Sequence, residues 1–511
     1  MKGMIVNGIM LVSLLTAAAC GKSGGGGNEG PKTDAPRTLY VSVTGNDNAT
    51  GTIQSPYARI NDALAKAVPG DTVMVRGGKY YQKVKFPRSG REGKLITLKA
   101  YPGETPVIDG TGQTVSGKDA LVFIRNASYV VLEGFDICNF ISSAPWVSPN
   151  GVVADEGSSN IIIRRNKIYN IEHNAAPADG RSGHGIEIIG NTNIPMKNVL
   201  VEENEIHDCN TGYSENLTIN GYVDGFVIRK NKVYNAENIG IDAAGGYAGN
   251  PVAEYNYARN GVITENELWN INMTTGPIGG QHGHGAIAIY VDGARNITVE
   301  RNRVDDCDRG IGVVSETDAF PTSDCIVRNN IVTNSYRVGI YLGGYLNYTG
   351  GGSRRCYVVN NTLMGNNRKR GAYGEIEGEL RMTEHCFDNV IRNNLVIAGA
   401  DDLFFHKYTN TGSGNVIDNN LYFAPANPAG WIWNTVDGPA ITDFTAWKTT
   451  SGIDAASIHG QNPLQGTDFR IPANSPAKNQ GFVLLDNKGG TVDFYGQPRV
   501  VNGKVSIGAV Q

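Results

Sequence analysis

Nine asparagines recur along the chain and constrain its fold more than any other feature: Asn166, Asn204, Asn231, Asn266, Asn302, Asn330, Asn361, Asn394 and Asn420. Each follows a short alternating run of apolar residues, as in NIIIRRNKI, NVLVEENEI and DNVIRNNLV. The gaps run from 26 residues (Asn394 to Asn420) to 38 (Asn166 to Asn204). Self-similarity at such a spacing marks a stacked repeat. In a solenoid each repeat adds a strand to a long flat face, so binding groups line up along a groove. A second apolar run follows most of these asparagines: HGIEII from His184, IGIDAA from Ile239, GAIAIYV from Gly285 and VGIYLGG from Val338. Each repeat therefore holds at least two strands, and the chain is read as an all-β solenoid. The asparagines are expected at left-handed corners, bonded from one repeat to the next, as scaffold. In VVLEGFDI, Gly134 is expected to take the place of the Asn.

Strand alternation sends Ile186, Ile188 and Ile241 inward and Glu187 and Asp242 outward. Glu187 and Asp242 share a strand position two repeats apart, with NLTIN between them. Residues Thr38 to Gly110 read as an N-terminal module with a helix in SPYARINDALAKA, which would cover the open end of the solenoid. Ile60, Leu64 and Ala67 lie on one face of that helix, and Ser55-Pro56 suits its start. Past Asn420 the pattern fades into a region rich in Trp431, Trp433 and Trp447. The expected division is a β-solenoid with its N-terminal cap over 38–430 and an irregular C-terminal cap over 431–511.

The formal net charge of -4 over 511 residues argues against nucleic acid as a partner. Residues 1–19 read as a signal peptide, with Lys2 ahead of an apolar stretch ending in LLTAAAC. The sequence there resembles a bacterial lipoprotein signal, which implies a lipid on Cys20. Residues 20–37 would be a flexible tether. The expected location is the bacterial outer membrane, at the cell surface or on the periplasmic face. Contact with the membrane would be through the lipid alone, since no other stretch reads as a span. The chain is expected to act as a monomer. Six cysteines follow Cys20 and none forms a Cys-x-x-Cys pair. Cys325 and Cys356 stand five residues before ladder asparagines and are read as buried free thiols.

YVSVTGND, SPYARINDALAKAVPGDTVMVRGGKYY, ITLKAYPGETPVIDG and the closing DFYGQPR resemble secreted right-handed parallel β-helix proteins. The likeness is to polysaccharide lyase family 9 and the chondroitinase B-like proteins. It implies a right-handed parallel β-helix acting on an acidic polysaccharide by β-elimination, with calcium as a cofactor. In the pattern around the family's acid cluster, residues 238–242 keep Gly240 and Asp242 but carry Asn238 and Ile239 in place of acids.

Elimination on a uronate needs a base, a cation over the carboxylate and a proton donor. His184 and His284 stand in Gly-His-Gly turns read as equivalent, and either would be the base; His282 is a further candidate. Arg309 would neutralise the carboxylate. Hydrolysis needs two carboxyl groups, for which Glu187 and Asp242 are the candidates. Asp305, Asp306 and Asp308 form an acidic turn that could hold calcium. Tyr213, Tyr222, Tyr247, Tyr290 and Tyr341 are candidates for sugar contact. The reading is a polysaccharide-active protein, a lyase first, with an inverting glycoside hydrolase or a non-catalytic glycan binder as alternatives.

Overall fold

The computed structural model describes residues 35–274, 276, 283–345, 351–368, 376–399, 402–425, 429–466 and 468–511. The proposed signal peptide, Cys20, most of the tether and His282 lie outside them. Residues 36–511 form one compact unit.

Parallel strands stack coil on coil into three sheets of 16, 13 and 12 strands among the described residues. The chain is a right-handed parallel β-helix. Each coil contributes three strands rather than the two legible in the sequence. In one coil these are Ile161–Arg164 in sheet 1, Lys167–His173 in sheet 2 and His184–Gly190 in sheet 3. The sheet 2 strand was hidden because it follows the ladder Asn at once, so the two apolar runs read as one. The interior is filled by stacked aliphatic side chains such as Ile163, Ile168, Ile186 and Ile188, all fully buried. Burying each contributes about 1.5–3 kcal/mol, so the stack drives the winding.

The ladder asparagines occupy the corner between sheets 1 and 2. Asn204 donates from its backbone N–H (2.9 Å) and Nδ2 (3.0 Å) to Oδ1 of Asn231, and from Nδ2 to the Ile163 carbonyl (2.9 Å). The pattern repeats from Asn166 to Asn420, where Ser457 takes over as the acceptor. The left-handed residue at this corner is not the ladder Asn but its predecessor. Arg165, Glu203, Lys230, Glu265, Arg301, Asn329, Asn360, Asn393 and Asn419 have φ of 54–57°. The ladder Asn is selected for its buried amide, which satisfies the corner's polar groups. Gly134 (φ 86°) accordingly aligns with the left-handed predecessor, and Phe135 stands in the ladder register, its N–H bonding Oδ1 of Asn166.

The N-terminal helix spans Ile60–Lys66, buries Ile60, Ala63 and Leu64, and packs on Thr38–Val41, Thr72–Val75 and Val84–Lys85. It begins after Arg59, so Ser55-Pro56 lies outside it. At the other end Gly430–Trp433 and Ile458–His459 continue sheets 3 and 2. Cys325 and Cys356 are buried free thiols, as are the other four cysteines after Cys20.

Candidate functional site

The outer face of sheet 3 carries a row of side chains in exact register: Val153, Glu187, Thr218, Asp242, Tyr290, Gly312 and Tyr341. Glu187 and Asp242 are two coils apart, which places their Cα atoms about 10 Å from each other. Loops leading into sheet 3 rise beside this row and enclose a groove of about 660 Å³. It is lined by Lys118, His184, Glu187, Glu215, Asp242, Asp292 and Glu316, with Tyr213, Tyr247 and Tyr290 and the hydroxyls of Ser148, Ser182 and Ser214. The walls leave Glu187 only 4% and Asp242 only 3% exposed, although both point away from the core.

One end of the groove is an ion-pair network. Lys118 Nζ lies 2.5 Å from Glu187 Oε1. His184 Nδ1 is 2.8 Å from Asn150 Oδ1, and Nε2 is 3.1 Å from Glu215 Oε2. The Asn150 amide nitrogen donates to the carbonyls of Asp119 and Ser148, so its oxygen is left to accept from His184. Both ring nitrogens therefore face acceptors, which favours the doubly protonated ring. Burial alone would lower the His184 pKa, but the charge of Glu187 and the bond to Glu215 outweigh it and raise it. Surroundings that favour the charged ring weigh against the base role expected for His184.

The other end holds the carboxyl groups of Asp242, Asp292 and Glu316, with the charge of Arg309 acting on Glu316. Asp242 is raised well above the usual carboxylate range by burial and by the nearby charges of Glu215 and Asp292. Its Oδ2 accepts from Thr218 Oγ1 at 3.2 Å, while its buried Oδ1 has no partner. Burial and Glu316 push Asp292 up to about 7, against the opposing bonds from Tyr247 Oη (2.7 Å) and the Glu316 N–H (2.9 Å). Glu316 is raised chiefly by burial and receives the Tyr290 hydroxyl at 2.8 Å. The buried Glu187 Oε2 likewise makes no hydrogen bond. The arrangement sets Asp242, a carboxyl whose burial and neighbouring charges favour the protonated form, against an ion-paired carboxylate, Glu187, in a groove with polar walls.

Other expected residues fall elsewhere. His184, Glu215, Ile239, Ile287 and Arg309 share a register, so Ile287 occupies the place corresponding to His184. His284 stands three residues earlier, and the two Gly-His-Gly turns are not equivalent. His284 bonds Asp308 at 2.5 Å and stacks on Tyr336. Arg309 reaches the buried Glu377, which Arg337 and Arg381 also engage. Tyr222 stacks on Tyr255 beneath Arg259, where an insertion packs onto the coils. Tyr341 lies in the outer row but beyond the groove, packed with Tyr290 over Gly312. The acidic turn does not gather as a calcium site. Asp305 accepts from Thr333 and Asn334, Asp306 pairs with Arg368 at a left-handed corner, and Asp308 caps the Met273 and Ala286 N–H groups. Among the described residues no cluster of three acidic, His or Cys side chains is poised to hold a metal.

The family described as "Pel9A-like, right handed beta helix region" matches residues 39–239. The uncharacterized protein YwoF of Bacillus subtilis (strain 168) is 31% identical over 448 residues, covering 86% of this chain and 92% of that one. The chain belongs to the Pel9A-like right-handed β-helix family. Pectate lyase PEL9 of Emericella nidulans is 29% identical over 222 residues, 42% of this chain and 50% of that enzyme. The crystal structure of pectate lyase Pel9A aligns with a TM-score of 0.43 at 14% identity, covering 93% of this chain and 96% of that one.

Within this Pel9A-like chain, sequence reasoning missed Lys118, Glu215, Asp292 and Glu316. Asp292 was within reach, because it stands two residues after Tyr290 on the same face. Lys118 and Glu215 open their strands and Glu316 follows the end of its own, where alternation gives no direction.

Proposed function

We propose that the groove hydrolyses a glycosidic bond in an extended, uncharged glycan, with inversion. Asp242 is the proton donor to the leaving oxygen, and Glu187 is the carboxylate that activates water from the opposite side of the sugar. The single observation that carries this reading is the pair itself: two groove carboxyls in one register, two coils apart, one buried among other carboxyl groups and the other ion-paired with Lys118. Their spacing is near the separation of about 6.5–9.5 Å that leaves room for a water between sugar and base. The charge balance supports an uncharged substrate. Lys118 and His184 are already paired with Glu187 and Glu215, and with Asp242 as the acid the carboxyl groups of Asp292 and Glu316 remain to face a substrate. A polyuronate would add like charge to that set.

The test is product analysis on xylan, galactan and galactomannan, beside polygalacturonate and alginate, with and without calcium. New reducing ends without unsaturation are expected from a neutral polymer, with turnover lost by at least about a hundredfold in Glu187→Gln and in Asp242→Asn. Full activity in both variants would rule the pair out. A second reading, β-elimination on a uronate glycan, is supported by the 29% identity to pectate lyase PEL9. It predicts ultraviolet-absorbing unsaturated products from polygalacturonate or alginate. The chain is further proposed to be held at the outer membrane by a lipid on Cys20. Labelled palmitate should enter the wild type and be absent from Cys20→Ala.

A further inference from the structure

Trp146 is the most exposed aromatic side chain next to the groove, at 73%. It stands two residues before Ser148, a groove residue whose register partner is Lys118. The indole is held in place by several independent devices. Its backbone is left-handed (φ 59°), and its N–H donates to the Asp179 carbonyl at 2.8 Å. The ring lies against Gly180, where a Cβ would come within 2.4 Å of the indole. The fully buried His173 ties the flanking loops together. Its Nδ1 accepts the Ser182 N–H at 2.8 Å, which leaves Nε2 to donate to the Ala144 carbonyl at 2.8 Å.

The wall continues toward the carboxyl groups. Arg181 is buried and donates to the Ala175 carbonyl and to Asn210 Oδ1, which pins the loop from below. The Arg181 carbonyl in turn accepts the N–H of Tyr213, a half-exposed groove residue on a later coil. Trp146 and Tyr213 thus flank one rigid segment, Asp179–Ser182, along the side of the groove. Trp146 belongs to the coil before Glu187, on the side away from Asp242.

We propose that Trp146 is a sugar-stacking platform that holds a pyranose ring of the bound glycan beyond Glu187, on the side away from the proton donor. The proposal rests on the reading that the groove binds a glycan, and it applies to a hydrolase and a lyase alike. Sugar rings carry apolar C–H faces that pack on aromatic planes, and a ring fixed before binding loses little freedom when it is covered. Trp146 would therefore set the affinity for longer chains.

The test measures binding rather than turnover. Retardation of wild type, Trp146→Ala and Trp146→Phe is compared in native gels containing xylan, galactan, galactomannan or polygalacturonate. Tryptophan emission is followed as the retarding glycan is added. Expected are about tenfold weaker retardation of Trp146→Ala, partial rescue by Phe, and an emission change lost in both variants. Equal retardation of wild type and Trp146→Ala would overturn the platform and leave the groove reading standing. Failure of all four polymers to retard the wild type would overturn both. Because the ring is exposed, its removal is expected to leave the thermal midpoint unchanged, and a matching midpoint shows that any loss of retardation is local.

Discussion

Replacing Asp292 with Asn should flatten the pH dependence of stability and make the protein more stable at about pH 8. Asp292 is pushed from the ordinary 3.8 to about 7 in the folded protein. Below the ordinary value both folded and unfolded chains hold the proton, and the group has no effect. Between 3.8 and about 7 the folded chain keeps a proton that the unfolded chain has released, so stability falls as pH rises. Above about 7 the whole cost is in place. About three pKa units at 1.36 kcal/mol each amount to ~4 kcal/mol. At about 2.1 cal/mol/K per residue, the unfolding entropy of residues 36–511 is ~1 kcal/mol/K, so the shift in midpoint is ~4 °C. The amide keeps an oxygen for the Glu316 N–H and carries no charge against Glu316. Calorimetric midpoints of wild type and Asp292→Asn across about pH 4 to pH 8 give the comparison. The variant should gain steadily on the wild type as pH rises. Two parallel curves would show that Asp292 titrates as an ordinary carboxylate and would refute the account of the groove's electrostatics.

Asn266→Ala should destabilise by about 2–4 kcal/mol, read as a lower urea midpoint, because it strips the one acceptor shared by the Asn231 N–H and Nδ2 and a donor from Ile228 O inside the stack. Glu377→Gln should cost about 3–5 kcal/mol in the same assay, since it leaves Arg309, Arg337 and Arg381 buried around a neutral amide. Stability equal to wild type would show that the three guanidinium groups are balanced without Glu377. Gly312→Ala should weaken glycan binding and lower the thermal midpoint, because a Cβ there would come within 2.7 Å of the Tyr290 ring and 2.8 Å of the Tyr341 ring. Unaltered binding would separate those tyrosines from the groove.

Much of the architecture was legible because its signals are local. The spaced asparagines mark the corner, and the period-two alternation aims Ile186 inward and Glu187 outward whatever the rest of the chain does. The shared position of Glu187 and Asp242 followed from counting strands, and the ladder through Thr218 has that register. Counting failed where loops differ in length. The Gly-His-Gly motif around His284 looked like the one around His184, yet it falls three residues out of register. The role of the corner residues was also misassigned by one position, since a buried amide and a left-handed backbone leave the same mark on a sequence when they are neighbours.

By itself the sequence determined a coiled stack of parallel strands with Glu187 and Asp242 on one outer face, because side-chain direction along a strand depends only on its own backbone. The tertiary structure alone decided which charges meet there. Lys118 is 69 residues from Glu187 in the chain, and Glu215 is 31 from His184, yet each pair lies in contact across neighbouring or next-neighbouring coils. Whether His184 is a base or a cation, and whether Asp242 holds its proton, depends on those meetings. They are set by how far each loop carries the chain before the next strand begins.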